Sequence, residues 1–313
     1  MTSLRYYQPI TVQAPATIAN LVCGFDVLGL AITNLYDVMT LELLPIPTII
    51  ITHTDNYNLP TEATQNVAGV ALLALQAAYC APIGFKLTIT KNIKPGSGLG
   101  SSSASAVGAV VAANYLLQHY FTPLQITQFA LKGEAFASGS AIHADNVAPC
   151  QYGGITLIPS CEPLHIIQLT APPLYITIIH PQIEIKTSEA RAILPKTITL
   201  QQASTHWGNV GGLVAGLLQG NYSSIAACLN DAIIEPVRST LIPYYNEVKT
   251  ASLQAGALGG GISGSGPSIF MLSSNRATAE LVAQAMHGIY ANCNIAYNVY
   301  TATVNPFGVS VVG

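Results

Sequence analysis

The apolar residues of the chain recur with two different periods. In residues 85–90, Phe85, Leu87 and Ile89 alternate with polar side chains, as in a half-buried strand. In residues 66–79 the apolar side chains recur every three or four positions, as in an amphipathic helix. Such patterns predict strands at residues 41–44, 48–52, 85–90, 153–162, 174–180, 182–186, 268–272 and 296–304, and helices at residues 66–79, 104–117, 124–138, 188–194, 209–218, 223–234, 241–255 and 277–290.

The order of these elements favours an α+β protein with two lobes over a doubly wound sheet, because strands and helices do not alternate strictly. The length of 313 residues is in the range expected for about two domains. Prolines cluster between residues 163 and 173. We therefore predict one domain at residues 1–165 and a second at residues 166–313.

Charged residues are scarce: they make up 8% of the chain, against about 25% in an average soluble protein. The scarcity suggests a membrane protein, but the longest uncharged stretch, residues 95–131, is interrupted by glycines, a proline and polar residues. It therefore lacks the run of about 20 apolar residues that a spanning helix needs. The N-terminal sequence has no continuous apolar segment of the signal-peptide type. We expect a cytoplasmic protein that has no membrane partner.

The net charge of −3 and the absence of any basic run argue against nucleic acid as a partner. The cysteines are far apart in sequence and form no C-x-x-C pair, which favours reduced thiols over a zinc site or disulfides. They are Cys23, Cys80, Cys150, Cys161, Cys228 and Cys293.

A segment rich in glycine and serine, residues 94–105 (KPGSGLGSSSAS), lies between a predicted strand and a predicted helix. This arrangement directs backbone N–H groups and the positive end of a helix dipole at an anion, so it predicts a phosphate site. The alternative is a flexible surface turn. The P-loop is excluded because no Lys follows the glycines before Lys132, and the dinucleotide fold because no acidic residue occurs in that interval. The H-R-D and D-F-G motifs of protein kinases and the G-x-S-x-G motif of hydrolases are also missing from the sequence.

A second glycine-rich segment, residues 259–268 (GGGISGSGPS), precedes a predicted strand. We expect it to brace the helix that follows the first glycine loop. The alternative is a tight connection between a helix and a strand.

Three segments together resemble the three motifs of the GHMP small-molecule kinases. They are residues 15–29 (PATIANLVCGFDVLG), residues 95–103 with the helix that follows, and residues 261–268 (GISGSGPS). The resemblance implies an N-terminal lobe of the ribosomal-protein-S5-domain-2 type that binds ATP, and a C-terminal ferredoxin-like lobe. It also implies Mg²⁺-dependent phosphoryl transfer from ATP to a small molecule.

Within that superfamily the chain is most similar to the homoserine kinases. Four further segments carry this similarity: residues 20–26 (NLVCGFD), 143–149 (HADNVAP), 186–191 (KTSEAR) and 235–238 (EPVR). The family implies that L-homoserine is phosphorylated to O-phospho-L-homoserine, a step of threonine biosynthesis, by a homodimer.

Homoserine is a zwitterion with a hydroxyl group, so its site needs a cation, an anion and further polar groups. Arg191 and Arg238 suit the carboxylate, because a planar guanidinium donates two parallel hydrogen bonds. Asp26 suits the ammonium. The alternative for each residue alone is an ordinary surface ion pair. The family's use of matching positions assigns the rest of the substrate to Asn20, His143, Asn146 and Thr187.

The resemblance assigns Mg²⁺ to Glu134 together with a loop hydroxyl, that of Ser102. The alternative for Glu134 is an exposed helix residue paired with Lys132. Asn66 is a predicted contact of the adenine or the ribose. The predicted ATP-binding residues are Asn66, Lys94, Pro95, Gly96, Ser97, Gly98, Leu99, Gly100, Ser101, Ser102, Ser103 and Ala104.

Phosphoryl transfer passes through a loose transition state, so positioning and charge stabilisation supply most of the catalysis and a strong base is optional. The predicted catalytic residues are Glu134, His143, Asp145 and Asn146. The sequence leaves open which of the last three contacts the attacking hydroxyl. We expect Asn146 and His143 to orient the hydroxyl, and Asp145 to support them without contacting the hydroxyl.

Two other functions compete with this interpretation. One is a GHMP kinase with a mevalonate-like or sugar substrate, against which the paired arginines argue. The other is a non-catalytic nucleotide-binding regulator that has kept the fold. A sequence without Glu134 or without the serines at 101–103 would point to the regulator, but this sequence contains all of them.

Overall fold

The computed structural model describes residues 8–139 and 143–312. Residues 1–7, which belong to the segment tested for a signal peptide, lie outside the described residues, as do 140–142 and 313. The strands are β1 (Ile10–Ala19), β2 (Leu28–Leu44), β3 (Ile49–His53), β4 (Gly84–Thr90), β5 (Ile155–Cys161), β6 (Leu164–Leu169), β7 (Tyr175–Pro181), β8 (Gly259–Ile262), β9 (Ile269–Ser273), β10 (Tyr297–Thr303) and β11 (Ser310–Val312). The α-helices are α1 (Val67–Ala78), α2 (Ser101–Leu116), α3 (Pro123–Ser138), α4 (Val147–Tyr152), α5 (Thr187–Ala192), α6 (Leu200–Gln219), α7 (Tyr222–Cys228), α8 (Glu235–Arg238), α9 (Tyr245–Gln254) and α10 (Arg276–Tyr290).

The N-terminal lobe is built on a seven-stranded sheet. Five strands lie in the order β11–β1–β2–β4–β3. Strand β5 pairs with the start of β2, and β6 pairs with β5. The pairs are antiparallel except β3 and β4, a parallel pair joined through α1. Helices α1, α2 and α3 pack on one another, and α2 lies against β1 and β2. This packing places the start of α2, and the glycine loop before it, beside the end of β1.

The uncharged stretch at residues 95–131 forms part of this core. Helix α2 carries buried residues on every side, which accounts for the absence of charge along it. Among the described residues, no helix is both long enough and apolar enough to cross a bilayer. All six cysteines are described and none is in a disulfide, which agrees with the predicted free thiols.

The C-terminal lobe contains a four-stranded antiparallel sheet of order β10–β7–β9–β8. Along the chain, β7 is followed by helices, then β8, β9, α10 and β10. Helices α9 and α10 pack together, and α10 lies on β7. This is the βαββαβ pattern of the ferredoxin-like fold, and the predicted α+β class and two-lobed architecture are confirmed.

Two predicted elements differ from the structure. The strand predicted at residues 182–186 is a loop that leads into α5. The helix predicted at residues 223–234 is interrupted, because α7 ends at Cys228 and a new helix, α8, begins at Glu235. The carboxylate of Asp231 accepts hydrogen bonds from the backbone N–H groups of Ile233, Ile234 and Glu235. Such bonds from N–H groups to a preceding side chain are typical of a new helix start.

The predicted domain boundary between residues 165 and 166 falls inside β6, which pairs with β5 in the large sheet. At the other end of the chain, β11 pairs with β1. Sheet membership therefore places the end of the first N-terminal-lobe segment after Leu169. It also assigns residues 310–312 to the N-terminal lobe, so that the C-terminal lobe is inserted between β6 and β11.

Candidate active site

A cleft of about 310 Å³ lies between the two lobes. Every residue predicted from the sequence to bind substrate lines it, including residues more than two hundred positions apart in the chain. From the N-terminal lobe these are Asn20, Asp26, His143 and Asn146, and from the C-terminal lobe Thr187, Arg191 and Arg238. Of the predicted ATP-binding set, the cleft is lined by Asn66, Pro95, Gly96, Ser97, Gly98, Gly100, Ser101 and Ser102.

The glycine loop is held in a conformation that only glycine adopts without strain. Gly96, Gly98 and Gly100 all have positive φ angles, of 74°, 78° and 69°. A Cβ atom on Gly100 would lie 1.9 Å from Thr17 Oγ1, and one on Gly98 would lie 2.5 Å from the carbonyl oxygen of Ser263. The second glycine segment therefore packs directly on the first. The Ser263 hydroxyl also donates to the Gly98 carbonyl at 2.7 Å, so the second segment braces the loop itself rather than the helix after it.

The loop ends at the start of α2, whose N-cap, Gly100, has no side chain to accept from the first-turn N–H groups. Such groups have no acceptor within the helix and attract an anion. Buried beneath this turn, Lys91 donates to the Ser101 carbonyl at 2.7 Å and to Ser105 Oγ at 2.9 Å, and pairs with the buried Asp37. Lys91 therefore supports the backbone of the helix start.

The remaining loop side chains have structural contacts. The Lys94 ammonium donates to Gln182 Oε1 of the C-terminal lobe at 2.8 Å, and Lys94 is not among the cleft-lining residues. Ser101 Oγ donates to the Ile93 carbonyl at 2.8 Å. Leu99 and Ala104 are buried. Of these four residues only Ser101 lines the cleft.

Glu134 reaches the cleft from the middle of α3. Its carboxylate accepts hydrogen bonds from Ser102 Oγ at 3.1 Å and Ser103 Oγ at 2.8 Å, rather than pairing with Lys132. Burial raises the pKa of Glu134, although the serine hydrogen bonds oppose the shift. The structure thus brings together the carboxylate and the loop hydroxyl that the sequence analysis assigned to Mg²⁺.

Across the cleft, Asp26 and Arg191 form a bidentate ion pair, with N–O distances of 3.0 and 3.2 Å. His143 Nδ1 lies 3.4 Å from the same carboxylate. The sequence predicted these residues as separate substrate contacts, and the structure joins them. Asp26 is held by a hydrogen bond from its own backbone N–H to Asn20 Oδ1, at 3.1 Å.

Arg238 is 3% exposed and has no carboxylate within ion-pair distance among the described residues. Its Nε donates to the Ala190 carbonyl at 3.1 Å and its NH1 to the Gly264 carbonyl at 3.0 Å. Burial, together with the positive charge of Arg191, lowers the pKa of Arg238 to about 10, so the group remains cationic at neutral pH. A buried cation without a carboxylate partner is suited to bind an anionic ligand.

The three remaining predicted catalytic residues lie between the glycine loop and this charged cluster. Asn146 Oδ1 accepts from Thr17 Oγ1 at 2.7 Å, so its amide NH₂ group is left for other partners. Burial lowers the pKa of His143, and its Nε2 is buried without a hydrogen-bond partner among the described residues. Burial, reinforced by the charges of Asp26 and Glu134, raises the pKa of Asp145 to about 7.

Asn66 has a structural role that the sequence analysis did not foresee. Its Oδ1 caps α1 by accepting from the N–H groups of Ala68 and Gly69, while its Nδ2 donates to the Pro60 carbonyl at 2.6 Å. The same Nδ2 lies 3.2 Å from Nε2 of His53, a further cleft residue. The side chain that was predicted to contact adenine or ribose is therefore already engaged at the end of the cleft.

Comparison with known proteins shows the family of the chain. The family model for the GHMP kinase N-terminal domain matches residues 65–154, and that for the C-terminal domain matches residues 213–292. Homoserine kinase of Chloroherpeton thalassium is 44% identical over 290 residues, which is 88% of this chain and 91% of the relative. Homoserine kinase of Chlorobaculum tepidum is 43% identical, with 92% of each protein covered. The chain belongs to the homoserine kinase family.

A solved structure extends this result to the fold. The crystal structure of homoserine kinase from Cytophaga hutchinsonii has a TM-score of 0.94 and 46% identity, and the match covers 98% of this chain and 100% of the other. The predicted GHMP kinase fold is thereby confirmed.

Several site components of this homoserine kinase family member were missed from the sequence, and three of them support the predicted residues. Thr17 fixes Asn146, and Lys91 supports the start of α2. The ring of Phe25 lies 5.5 Å from the Arg191 guanidinium carbon and 5.1 Å from that of Arg238. Thr17 and Phe25 lie within residues 15–29, the first of the three kinase motifs. That position was the only indication in the sequence that they belong to the site.

Proposed function

We propose that this protein phosphorylates the side-chain hydroxyl of L-homoserine, with ATP as the phosphoryl donor. The observation that carries the proposal is the arrangement of charge in a single cleft. The Asp26, Arg191 and Arg238 cluster, which suits a zwitterion, lies on one side. The glycine loop and Glu134, which suit a nucleotide and its metal, lie on the other.

The substrate is bound at both of its charges. Its carboxylate is attracted to Arg191 and to the buried Arg238, which lacks a carboxylate partner among the described residues. Its ammonium is attracted to Asp26, whose carboxylate retains lone pairs beside its bonds to Arg191. An α-amino acid is thus distinguished from mevalonate or a sugar, which have no ammonium group.

The hydroxyl of the substrate is oriented by the residues between the two sides of the cleft. Because Asn146 Oδ1 accepts from Thr17, the amide NH₂ is free to donate to the hydroxyl oxygen. His143 is held near neutrality by burial, and its Nε2 has no hydrogen-bond partner in the described part of the chain. His143 lines the cleft, where an unprotonated ring nitrogen can accept a hydrogen bond from the hydroxyl.

The chemistry of the donor groups fits Mg²⁺ and a nucleotide. Glu134 and Ser102 supply the hard oxygen ligands that Mg²⁺ prefers, and the N–H groups at the start of α2 suit phosphate oxygens. When bound, Mg²⁺ and ATP supply the phosphoryl group and neutralise its charge. The side chains around them position the hydroxyl and exclude water.

A coupled assay of ADP release tests the proposed activity. We expect turnover with L-homoserine and ATP in the presence of Mg²⁺, and none with L-2-aminobutyrate, which lacks the hydroxyl. Mevalonate serves as the competing substrate. Turnover of mevalonate without turnover of homoserine would favour another GHMP kinase, and nucleotide binding without any turnover would favour a regulator.

We also propose that the protein acts in the cytoplasm as a homodimer. The unpaired cysteines support a reducing compartment. Helix α6 has no charged residue and exposes Leu200, Trp207 and Leu218, and such apolar surface supports self-association. Light scattering coupled to gel filtration tests the homodimer: we expect twice the 32.8 kDa mass of one chain, and a monomer mass would refute it.

A further inference from the structure

Phe25 lies directly behind the charged side of the cleft. It is half-buried in the turn between β1 and β2, next to Asp26, and is not itself a cleft-lining residue. The guanidinium carbons of Arg191 and Arg238 lie 5.5 and 5.1 Å from its ring centroid. Both distances are within the range of a cation–π interaction, so one ring serves two cations.

The two cations would otherwise be difficult to hold together. Burial disfavours the charged form of Arg238, and the charge of Arg191 adds to that effect. A second carboxylate beside Arg238 would relieve the repulsion, but it would also compete with an anionic ligand for the same N–H groups. An aromatic face attracts a guanidinium through its quadrupole and accepts none of its in-plane hydrogen bonds. Phe25 therefore stabilises both cations while leaving their donors available.

Backbone hydrogen bonds hold the turn that carries Phe25. Leu21 and Val22 have positive φ angles of 40° and 67°, conformations that are strained for such side chains. The N–H of Gly24 donates to the Asn20 carbonyl at 2.7 Å, and the N–H of Val27 donates to the Gly24 carbonyl at 3.0 Å. These bonds fix the backbone on both sides of Phe25, so its ring has a defined position.

We propose that Phe25 is a positioning residue, whose ring holds the guanidinium groups of Arg191 and Arg238 in place for the carboxylate of the substrate. The inference rests on the proposed homoserine kinase activity and adds a determinant of amino-acid recognition. Phe25 acts through the two arginines and does not touch the reacting atoms.

The test compares variants that differ in the aromatic face. Phe25→Leu and Phe25→Met keep an apolar side chain and remove the ring, whereas Phe25→Tyr keeps the ring. For the first two we expect the KM for homoserine to rise roughly ten-fold, with kcat and the KM for ATP changed less than about two-fold. For Phe25→Tyr we expect a KM for homoserine close to that of the wild type. Thermal melting identifies which variants are folded.

An analogue without a carboxylate separates positioning of the arginines from a general effect. We expect 3-amino-1-propanol, used as a competitive inhibitor, to have the same inhibition constant in the wild type and in Phe25→Leu. An unchanged KM for homoserine in the folded Leu or Met variant would overturn the inference. An equal loss in Phe25→Tyr, or an equal rise in the KM for ATP, would also overturn it. Failure of the wild type to phosphorylate homoserine would instead refute the proposed function, so the two failures are distinguishable.

Discussion

At the scale of single residues, one ion pair on the charged side of the cleft is balanced before any ligand enters it, whereas Arg238 has only backbone carbonyl partners among the described residues. Asp26 and Arg191 neutralise each other through two hydrogen bonds. A zwitterion adds one charge of each sign, so its binding preserves this balance. A ligand that carries only a carboxylate would compete with Asp26 for Arg191 and bring no ammonium to compensate Asp26, which is costly in a partly buried site.

Glu134 gives the first prediction. Glu134→Gln keeps the size of the side chain but removes the negative charge that Mg²⁺ needs. We expect kcat to fall by roughly 100-fold or more, with the KM for homoserine nearly unchanged, in the ADP-release assay at several Mg²⁺ concentrations. Glu247→Gln, at an exposed position on α9, is the control and retains full activity. A normal kcat for Glu134→Gln at high Mg²⁺ would contradict the assigned role.

Asp145 gives a prediction for pH. Its pKa is raised to about 7 in the folded protein from 3.8, so between these values the folded chain holds a proton that the unfolded chain has released. Stability therefore falls as the pH rises through this window. Asp145→Asn removes this dependence, and we expect its free energy of unfolding to exceed that of the wild type by about 1–4 kcal/mol at pH 8.

The difference in free energy of unfolding between the Asp145→Asn variant and the wild type should decrease towards pH 4. Urea unfolding between pH 4 and pH 8 measures it. We expect the variant to retain turnover, because Asn146 and His143 orient the hydroxyl. Complete loss of turnover with normal homoserine binding would instead make Asp145 the base.

The sequence analysis predicted many of the residues that line the cleft but not their contacts. Asp26 and Arg191 were predicted as substrate ligands, yet their ion pair joins positions 165 residues apart. Phe25 was missed because an aromatic residue in an apolar segment is usually part of a core. Its role depends on two arginines of the other lobe, which only the tertiary structure places against its ring.

At the scale of elements, the helices were predicted more completely than the strands. Strand β1 was missed because its last six residues are all buried, so it lacks the alternation of a half-exposed strand. Strand β8 was missed because three of its four residues are glycines, which resemble a turn. The dense packing of β8 leaves no room for larger side chains: a Cβ on Gly260 would lie 2.0 Å from the Phe270 carbonyl oxygen.

The packing between the two glycine segments gives a third prediction. Gly98→Ala places a methyl group against the Ser263 and Gly266 carbonyls, in addition to the strain of its φ angle of 78°. We expect the KM for ATP to rise about ten-fold or more, because the loop must move. Gly154→Ala has a similar φ angle, 69°, but open space around its Cβ position.

Gly154→Ala is therefore the matched control for backbone strain. It should lose about 1 kcal/mol of stability and keep the wild-type KM for ATP. An equal KM for ATP in the Gly98→Ala and Gly154→Ala variants would show that the contact between Gly98 and the second glycine segment does not affect ATP binding.

At the scale of the whole molecule, β11 connects the end of the chain to its beginning. It pairs with β1, and the Val309 N–H donates to the Cys150 carbonyl at 2.8 Å. Deletion of residues 306–313 should therefore destabilise the N-terminal lobe, although the deleted residues follow the C-terminal lobe in sequence. We expect the melting temperature to fall by several degrees, as measured by circular dichroism. Phe307→Ser, at a position that is 80% exposed, should leave it unchanged.

The insertion of the C-terminal lobe between β6 and β11 also restricts how the cleft opens. Two segments of the chain connect the lobes: one follows Leu169 and the other follows Thr303. A single connecting segment would allow the lobes to rotate about several axes. Two connecting segments favour rotation about the one axis that passes through both of them. Because β1 and β11 are neighbours, the ends of the described chain also lie close together. A circular permutant that joins residues 8 and 312, the ends of the described chain, and opens the chain at Gly220 would keep both connections, and so would keep that single axis.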